Sequence, residues 1–432
     1  MSKKRLTPQS APFVGELEVP GDKSISHRAV IFGSLAEGTT RIDHFLDGED
    51  CLRTVDAFRS LGVDIEQDGE SLIITSQGVE NFQEPKKPLY FGNSGTTARL
   101  LIGLLAGLPF FTTVYGDPSL TERPMDRVTQ PLEKMQAEIY GRKGGQYLPL
   151  AIKGKQLQGI EYTLPVKSAQ VKSALLLAGL FADGKTVITE KTKTRNHTET
   201  MLEAFGADLE IDGNTIRLSG KQTLVATDVY VPGDISSAAF FLVGAAAKPN
   251  SRLVLKRVGL NPTRTGILDI LEQMGASIDI LDKQQIGGEV FGDILINGTS
   301  LKGTEISGEI VPRLIDEIPI IALAATQAEG KTVIKDAQEL RVKETDRIHA
   351  VVDVLSTLGA DISETEDGMI IEGKRPLTGG EISAYGDHRI AMMGVIASFF
   401  AKDDVVIDDV SSIAISYPRF FDDLHSITSC QN

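Results

Sequence analysis

The sequence predicts an α/β (α+β) chain of two similar domains, each built from three β-α-β-α-β-β units with buried parallel helices. Three observations predict this. A polar phrase followed by an apolar run is written six times; an amphipathic segment with a strand pair is read after each copy; and one phrase is nearly duplicated where the chain changes domain. The six copies read GDKSISHRAVIFGSLAEGTTRI (21–42), GNSGTTARLLIGLLAGLPFFTTV (92–114), KSAQVKSALLLAGLFADGKTVI (167–188), GDISSAAFFLVGAAAKPNSRLVL (233–255), IDEIPIIALAATQAEGKTVI (315–334) and GDHRIAMMGVIASFFAKDDVVI (386–407).

Each apolar run predicts a helix that is apolar nearly all round, from AVIFGSLA in the first to IAMMGVIASFFA in the last. Such a helix has no face to give to water and must be covered by its neighbours. Grouping the units in threes, with the helices side by side and sheets outside, meets that need. The β-branched run after each small-residue break predicts a strand. The polar phrase then falls at the helix start, where unpaired N–H groups and a partial positive charge form a seat for anions. Six such seats predict a protein built around highly charged anionic ligands.

The second element is clearest in HTETMLEAFGADLEIDGNTIRLSG (197–220). Leu202, Phe205 and the Met201/Ala204 pair make a helical face, Gly206 stands where the helix stops, and Asp-Gly marks a hairpin turn. Similar stretches occupy 58–78, 271–280 and 355–374, with a weaker copy at 132–154, so the chain is expected to hold six units. EVPGDKSIS (18–26) and YVPGDISSA (230–238) are near-duplicates and read as hinges, near 18–24 and 230–236. This predicts domain 1 from residues 1–20 plus 234–432 and domain 2 from 21–233. The cleft between them is expected to collect helix starts from both.

Composition agrees. With 41% hydrophobic and 24% charged residues, the 432-residue chain is globular rather than disordered. Its net charge of −15 argues against nucleic acid and anionic membrane as partners. Yet Lys23, Arg28, Arg99, Arg123, Lys172, Arg195, Lys343, Arg347 and Arg389 all lie in or beside the polar phrases, which predicts a local cationic cleft. Two distant cysteines, Cys51 and Cys430, give no disulfide framework and fit a reducing compartment. The apolar runs are too short to span a bilayer, and MSKKRLTPQS has no apolar stretch after its basic residues, so a cytoplasmic protein is expected. Because the repeats bury their helices within the chain, a monomer is expected.

Each motif has a plainer reading beside the functional one. In GDKSISHR (21–28), Asp22, Ser24 or Ser26 could simply cap a helix, but Lys23 and Arg28 stand at the entrance to a buried helix where no solvated face is on offer. GNSGTTAR (92–99) could wrap a phosphate or carboxylate with backbone N–H groups and hydroxyls, Gly95 permitting close approach, or be an ordinary capped helix. LTERPMDR (120–127) sets Arg123 and Arg127 around a proline; KSAQVKS (167–173) brings Ser168, Gln170 and Lys172; TRNHTE (194–199) adds Arg195. RVKETDR (341–347), read as helix, puts Lys343 and Arg347 on one face with Glu344 beside them, and its plainer reading is a surface ion-pair ladder. Asp316 opens a buried helix, and GDHR offers Asp387, His388 and Arg389 in the same position. No residues have metal-ligand spacing and no nucleophile elbow is present. The equipment is general acid/base groups with cationic clamps.

Taken in order from about residue 10 to 425, PGDKSISHR, GNSGTTAR, ERPMDR, SAQVKSA, RVKETDR and GDHR closely resemble the 3-phosphoshikimate 1-carboxyvinyltransferase (EPSP synthase) family. GDKSI, SAQVK, RNHTE and NPTR (261–264) resemble its class II branch. The resemblance implies the enolpyruvyl transferase fold, an inverse α/β barrel-like arrangement in each of two domains. It implies transfer of the enolpyruvyl group of phosphoenolpyruvate to the 5-hydroxyl of shikimate 3-phosphate with release of phosphate. The route is addition–elimination through a tetrahedral intermediate, with domain closure and with no metal or organic cofactor. By the same resemblance, Lys23, Ser24, Arg28, Ser168, Ala169, Gln170, Arg195, Asp316 and Lys343 would hold shikimate 3-phosphate. Lys23, Gly95, Arg123, Gln170, Arg347 and Arg389 would hold phosphoenolpyruvate. Asp316 would take the hydroxyl proton, and Glu344 and Lys23 would handle the methylene proton. Glyphosate is implied as an inhibitor competing with phosphoenolpyruvate. The chain departs from the family at Ile415, where many members carry a Lys, and at Leu100, where class I members have Pro. Two other readings compete: the sister UDP-N-acetylglucosamine enolpyruvyl transferase, whose acid Cys is missing from YGDPSLTERP (115–124), and a non-catalytic phosphometabolite-binding protein, which would gain nothing from carboxylates set among the clamps.

Overall fold

In the computed structural model, which describes residues 3–429, the chain forms two compact units. Unit 2 is Gly21–Val231 with Ile286–Glu289; unit 1 is the chain up to Pro20, Pro232–Gln285, and Val290 onward. Cys430 lies outside the described residues.

Each polar phrase opens a helix. In chain order these six core helices are α1 (Lys23–Leu35), α2 (Gly95–Ala106), α3 (Ala169–Gly179), α4 (Ile235–Ala247), α5 (Ile318–Gln327) and α6 (His388–Ala397). Their burial is continuous rather than one-sided: every residue from Ile25 to Leu35, from Thr97 to Ala106 and from Ile235 to Ala246 is buried. This is what an all-round apolar helix requires. α1, α2 and α3 contribute to the core of unit 2, and α4, α5 and α6 to the core of unit 1. A fully buried Leu or Ile contributes on the order of 1.5–3 kcal/mol, so each of these helices is a large term in the stability of its unit.

Five of the six starts carry a side-chain cap. Asp22, Ser94, Ser168, Asp234 and Asp387 each accept a backbone N–H of the first turn. The plain reading of the polar phrases as caps is therefore true of these residues, and it leaves the neighbouring cations to be explained.

Six small sheets surround the cores. Unit 2 holds 229–230/37–43/71–77/64–68, 89–90/111–115/147–153/138–141 and 161–163/185–189/215–219/209–212, each in spatial order. In every one the first strand is parallel to the second and the rest are antiparallel. The hairpin read at 209–218 forms between Leu209–Asp212 and Thr215–Ser219, with Gly213 at φ +57° in the turn, where a residue with a side chain would be strained.

Val14–Leu17 pairs with Arg252–Gly259 in unit 1, and Val229–Tyr230 pairs with Glu37–Asp43 in unit 2. The structure differs from the sequence reading in three places. The sixth unit has no hairpin of its own; its sheet is three-stranded, closed by Lys4–Leu6 antiparallel to Val405–Ile407. Residues 286–289, expected in domain 1, belong to unit 2, where Glu289 Oε1 lies 2.6 Å from His197 Nδ1. Lys343 and Glu344 are not helical. The chain makes a 3₁₀ turn over Gln338–Val342, Lys343 is extended, and the helix starts only at Arg347. Asp346 ends the irregular stretch by accepting the N–H of His349 at 3.1 Å.

α2 and α3 approach closely at Gly103. A Cβ there would stand 2.8 Å from the carbonyl carbon of Ala174 and 2.9 Å from its Cα, so backbone would have to move. Gly103→Ala is expected to destabilise the protein by about 1–3 kcal/mol in urea denaturation, although alanine favours helix, because the overpacking outweighs the propensity gain.

Candidate active site

In unit 2 the candidate residues gather at the starts of α1, α2 and α3. Lys23, the first residue of α1, donates from Nζ to Asp50 Oδ2 at 2.9 Å, with both side chains mostly buried. Asp50 was not anticipated; it sits in the first turn of the helix Glu49–Ser60, and its carbonyl accepts from Thr97 Oγ1 at 3.3 Å. A chain of hydroxyls ties α1 to α2: His27 Nδ1 lies 2.7 Å from Thr54 Oγ1, Thr54 is 2.8 Å from Thr97 Oγ1, and Thr97 is 2.7 Å from Ser94 Oγ. Burial pushes the His27 pKa well below 6.5, with Lys23 and Arg28 adding to the effect, so the ring is neutral in the fold.

A second group surrounds Gly95. Arg123 Nη2 donates to Asn93 Oδ1 at 2.6 Å, and Arg99 Nη1 donates to Gln170 Oε1 at 2.6 Å. Gln170 Nε2 in turn donates to Thr96 Oγ1 at 3.0 Å. A Cβ at Gly95 would lie 3.0 Å from Arg123 Nη1 and 3.3 Å from Arg99 Nη1, so the missing side chain opens backbone beside two guanidinium groups. Gly95, Arg123 and Gln170, named separately from the sequence, are thus brought together, with Arg99 among them. Ser168 and Ala169 stand at the start of the same helix as Gln170.

Arg28 is 4% exposed and is used differently from a free clamp. Its Nε donates to Thr198 Oγ1 at 2.7 Å, Nη2 to Ser173 Oγ at 2.8 Å and Nη1 to the Ser24 carbonyl at 2.9 Å. It joins α1, α3 and the helix His197–Ala204. Lys172 leaves the expected cationic cleft altogether. It is fully buried, 3.0 Å from Glu190 and 2.6 Å from Glu199, and Glu190 also accepts the N–H of Thr194 at 3.1 Å. This ion cluster fixes the loop that carries Arg195, itself half-buried. Spacing within KSAQVKS could not reveal it, since both carboxylates come from later in the chain.

In unit 1 the residues converge on Arg347. Its side chain is 1% exposed and binds three carboxylates: Nε and Nη2 clasp Asp387 at 2.7 and 3.3 Å, Nη2 also meets Glu344 at 2.6 Å, and Nη1 meets Asp316 at 3.2 Å. Lys343 Nζ adds a contact to Asp316 at 3.4 Å. Burial works against the guanidinium charge, but Asp387, Glu344 and Asp316 more than offset it and raise the pKa. Arg389, 7% exposed, gives its backbone N–H to Asp387 Oδ1 at 2.8 Å. Asp316, Lys343, Glu344 and Arg347 therefore form one cluster, as a surface ladder would not. Asp387, which the sequence showed only as part of GDHR, is the residue that anchors Arg347.

Chemically, unit 2 presents Lys, Arg and hydroxyl donors at helix starts, which suits phosphate and carboxylate groups. Unit 1 presents two carboxylates held against cations, which suits proton transfer. Among the described residues, no group of three or more His, Cys, Asp or Glu side chains is placed to hold a metal ion, and no helix is long and apolar enough to cross a membrane.

Comparison with known proteins bears on this arrangement. The family model described as EPSP synthase (3-phosphoshikimate 1-carboxyvinyltransferase) matches residues 8–424. The chain belongs to the EPSP synthase family. It is 58% identical to the 3-phosphoshikimate 1-carboxyvinyltransferase of Oceanobacillus iheyensis over 99% of this chain and 100% of that one. It is 55% identical to the Bacillus subtilis protein of the same name over 96% and 97%. Among solved structures, EPSP synthase from Acinetobacter baumannii superposes with a TM-score of 0.89 at 46% identity, covering 99% of this chain and 98% of that one. The two-domain enolpyruvyl transferase fold follows from the same likeness.

The buried, neutral His27 makes a pH prediction. Its folded pKa lies below its unfolded value, so unfolding takes up a proton and stability falls as pH drops below about 6.5. His27→Asn keeps a polar atom toward Thr54 and removes that proton uptake. The variant is expected to be less stable at neutral pH, yet its stability should fall less steeply between about pH 6.5 and 5, by up to about 1.4 kcal/mol per pH unit, in urea titrations.

Proposed function

We propose that this chain transfers the enolpyruvyl group of phosphoenolpyruvate to the 5-hydroxyl of shikimate 3-phosphate and releases phosphate, a step toward chorismate and the aromatic amino acids. The observation that carries the reading is the Arg347 cluster, in which Asp316 and Glu344 are bound to one buried guanidinium. A base and an acid are thereby held as a pair beside Lys343, in a chain whose relatives at 55–58% identity bear the name of this enzyme.

The chemistry needs one proton removed from a hydroxyl and one delivered to a methylene carbon. Asp316, bound by Arg347 and Lys343, takes the 5-hydroxyl proton as the oxygen attacks C2 of phosphoenolpyruvate. Glu344, with Lys23, delivers a proton to the methylene and later removes one, as the C–O bond to phosphate breaks and the double bond returns. A carboxylate or phosphate group arriving at Arg347 competes with Glu344 for the guanidinium and raises its proton affinity, which suits the group that must first give a proton. Lys23, Ser24, Arg28, Ser168, Ala169, Gln170, Arg195 and Lys343 are assigned to shikimate 3-phosphate. Lys23, Gly95, Arg123, Gln170, Arg347 and Arg389 are assigned to phosphoenolpyruvate. Two polyanions repel unless neutralised, and Arg supplies forked donors for both phosphate and carboxylate. Closure of the protein over the intermediate, to exclude water, is part of the same proposal. So are a cytoplasmic monomer and inhibition by glyphosate in competition with phosphoenolpyruvate at Gly95, where backbone lies open beside Arg99 and Arg123. The sister enzyme is not favoured, because 115–124 has no cysteine to act as its acid.

Purified protein given both substrates is expected to release inorganic phosphate, with inhibition by glyphosate relieved by added phosphoenolpyruvate. Asp316→Ala should lower kcat by about 10²–10⁴-fold while KM values change little, since general base catalysis is worth that much. A folded protein that releases phosphate only with UDP-N-acetylglucosamine and phosphoenolpyruvate would overturn the reading.

A further inference from the structure

The repeat that begins at 233 departs from its duplicate at 21. GDKS (21–24) presents a lysine at its helix start, whereas GDIS (233–236) has isoleucine there and no cation nearby in sequence. The structure fills this start from within. Arg264, from the NPTR turn, is 3% exposed and donates from Nη2 to Ser236 Oγ at 2.8 Å and to Asp234 Oδ1 at 3.2 Å. Ser236 Oγ in turn donates to Glu317, which is 1% exposed. The anion at the start of α4 is thus a carboxylate of the protein itself, and it belongs to the residue after Asp316.

The other side of Asp316 is gripped by the same turn. Asp316 lies in the bend between the short helix Val311–Leu314 and α5, closed by the Glu317 N–H to the Leu314 carbonyl at 2.9 Å. Arg313, at the end of that short helix, donates from Nε to the Pro262 carbonyl at 2.7 Å, and its Nη1 pairs with Asp269 at 2.7 Å. The NPTR turn is itself rigid: Asn261 Oδ1 accepts the N–H of Thr263 at 2.9 Å and its hydroxyl at 2.7 Å, and the Asn261 carbonyl accepts the Arg264 N–H at 2.8 Å. A Cβ on Gly266 would lie 3.0 Å from the Arg313 Cβ, so turn and bend are packed without slack.

We propose that the NPTR turn is the positioning element for Asp316, with Arg264 acting through Ser236 and Glu317 on one flank and the Pro262 carbonyl acting through Arg313 on the other. None of these residues is assigned to substrate. They hold the bend so that the Asp316 carboxylate stays against Lys343 and Arg347. The proposal rests on Asp316 being the base, and it assigns to a buried cation a role in the rate rather than in binding. A general base must sit within hydrogen-bond reach of its proton, so a shift of about 1 Å in the bend is costly to turnover.

Arg264→Met leaves buried carboxylates without their cation and risks loss of the fold. Ser236→Ala is the informative variant, because it removes one hydroxyl from an otherwise intact helix start. It is expected to lower kcat about tenfold with both KM values within about twofold of wild type, and Ser236→Thr, which keeps the hydroxyl, should restore most of the rate. In an Asp316→Ala background, whose slow turnover is followed over hours, Ser236→Ala should bring no further loss. Wild-type kcat in Ser236→Ala, or the same fold loss in both backgrounds, would overturn the proposal while leaving Asp316 as the base. Undiminished turnover in Asp316→Ala alone would overturn the assignment of the base and the positioning role with it.

Discussion

The constraint on which the rest of this structure depends is that six helices have no polar face. Once α1–α6 are buried along nearly their whole length, they can present polar chemistry only near their ends, and the segments packed against those ends supply the rest. The starts carry the caps, the cations and the acidic groups together. Asp22, Asp234 and Asp387 satisfy first-turn N–H groups, while Lys23 and Arg389 stand one and two residues along and Arg264 arrives from another segment. Burial of these ends keeps each interaction in surroundings of low dielectric, where unpaired charge is expensive and paired charge is held firmly.

That constraint also explains how an acidic protein can serve acidic ligands. The net charge is −15, yet Lys23, Arg28 and Arg99 lie in the first turns of α1 and α2, and Arg123 reaches the start of α2 from a loop. Unit 1 uses cations in the opposite sense. Arg347 and Lys343 are surrounded by Asp316, Glu344 and Asp387, so they bind carboxylates of the chain itself. The repeat at 233 has become internal structure through Arg264 and Glu317.

Much of this was legible in the sequence, for physical reasons. All-round apolarity is a pattern in one segment, so the six helices could be read directly. So could the hairpin at 209–219, because Asp-Gly between β-branched strands is a local signal. What could not be read depends on distant partners. The i, i+4 spacing in RVKETDR fits a helix, yet Asp346 caps at the last moment and leaves Lys343 and Glu344 in a loop where both can turn toward Arg347 and Asp316. Lys172 has the same local sequence context as its cationic neighbours, and only the distant Glu190 and Glu199 set it apart. Asp50 opposite Lys23 and Glu289 beside His197 carry no local signature at all.

In the proposed reaction Glu344, held at Arg347, moves protons to and from the methylene carbon of phosphoenolpyruvate together with Lys23. The most direct measurement is the mass spectrum of product formed in heavy water. If Glu344 and Lys23 protonate the methylene and a proton is then lost from the resulting methyl group, deuterium must appear in the methylene of the enolpyruvyl product. Glu344→Gln should slow its appearance together with turnover. Product that forms at the full rate with no deuterium in that methylene would contradict the account.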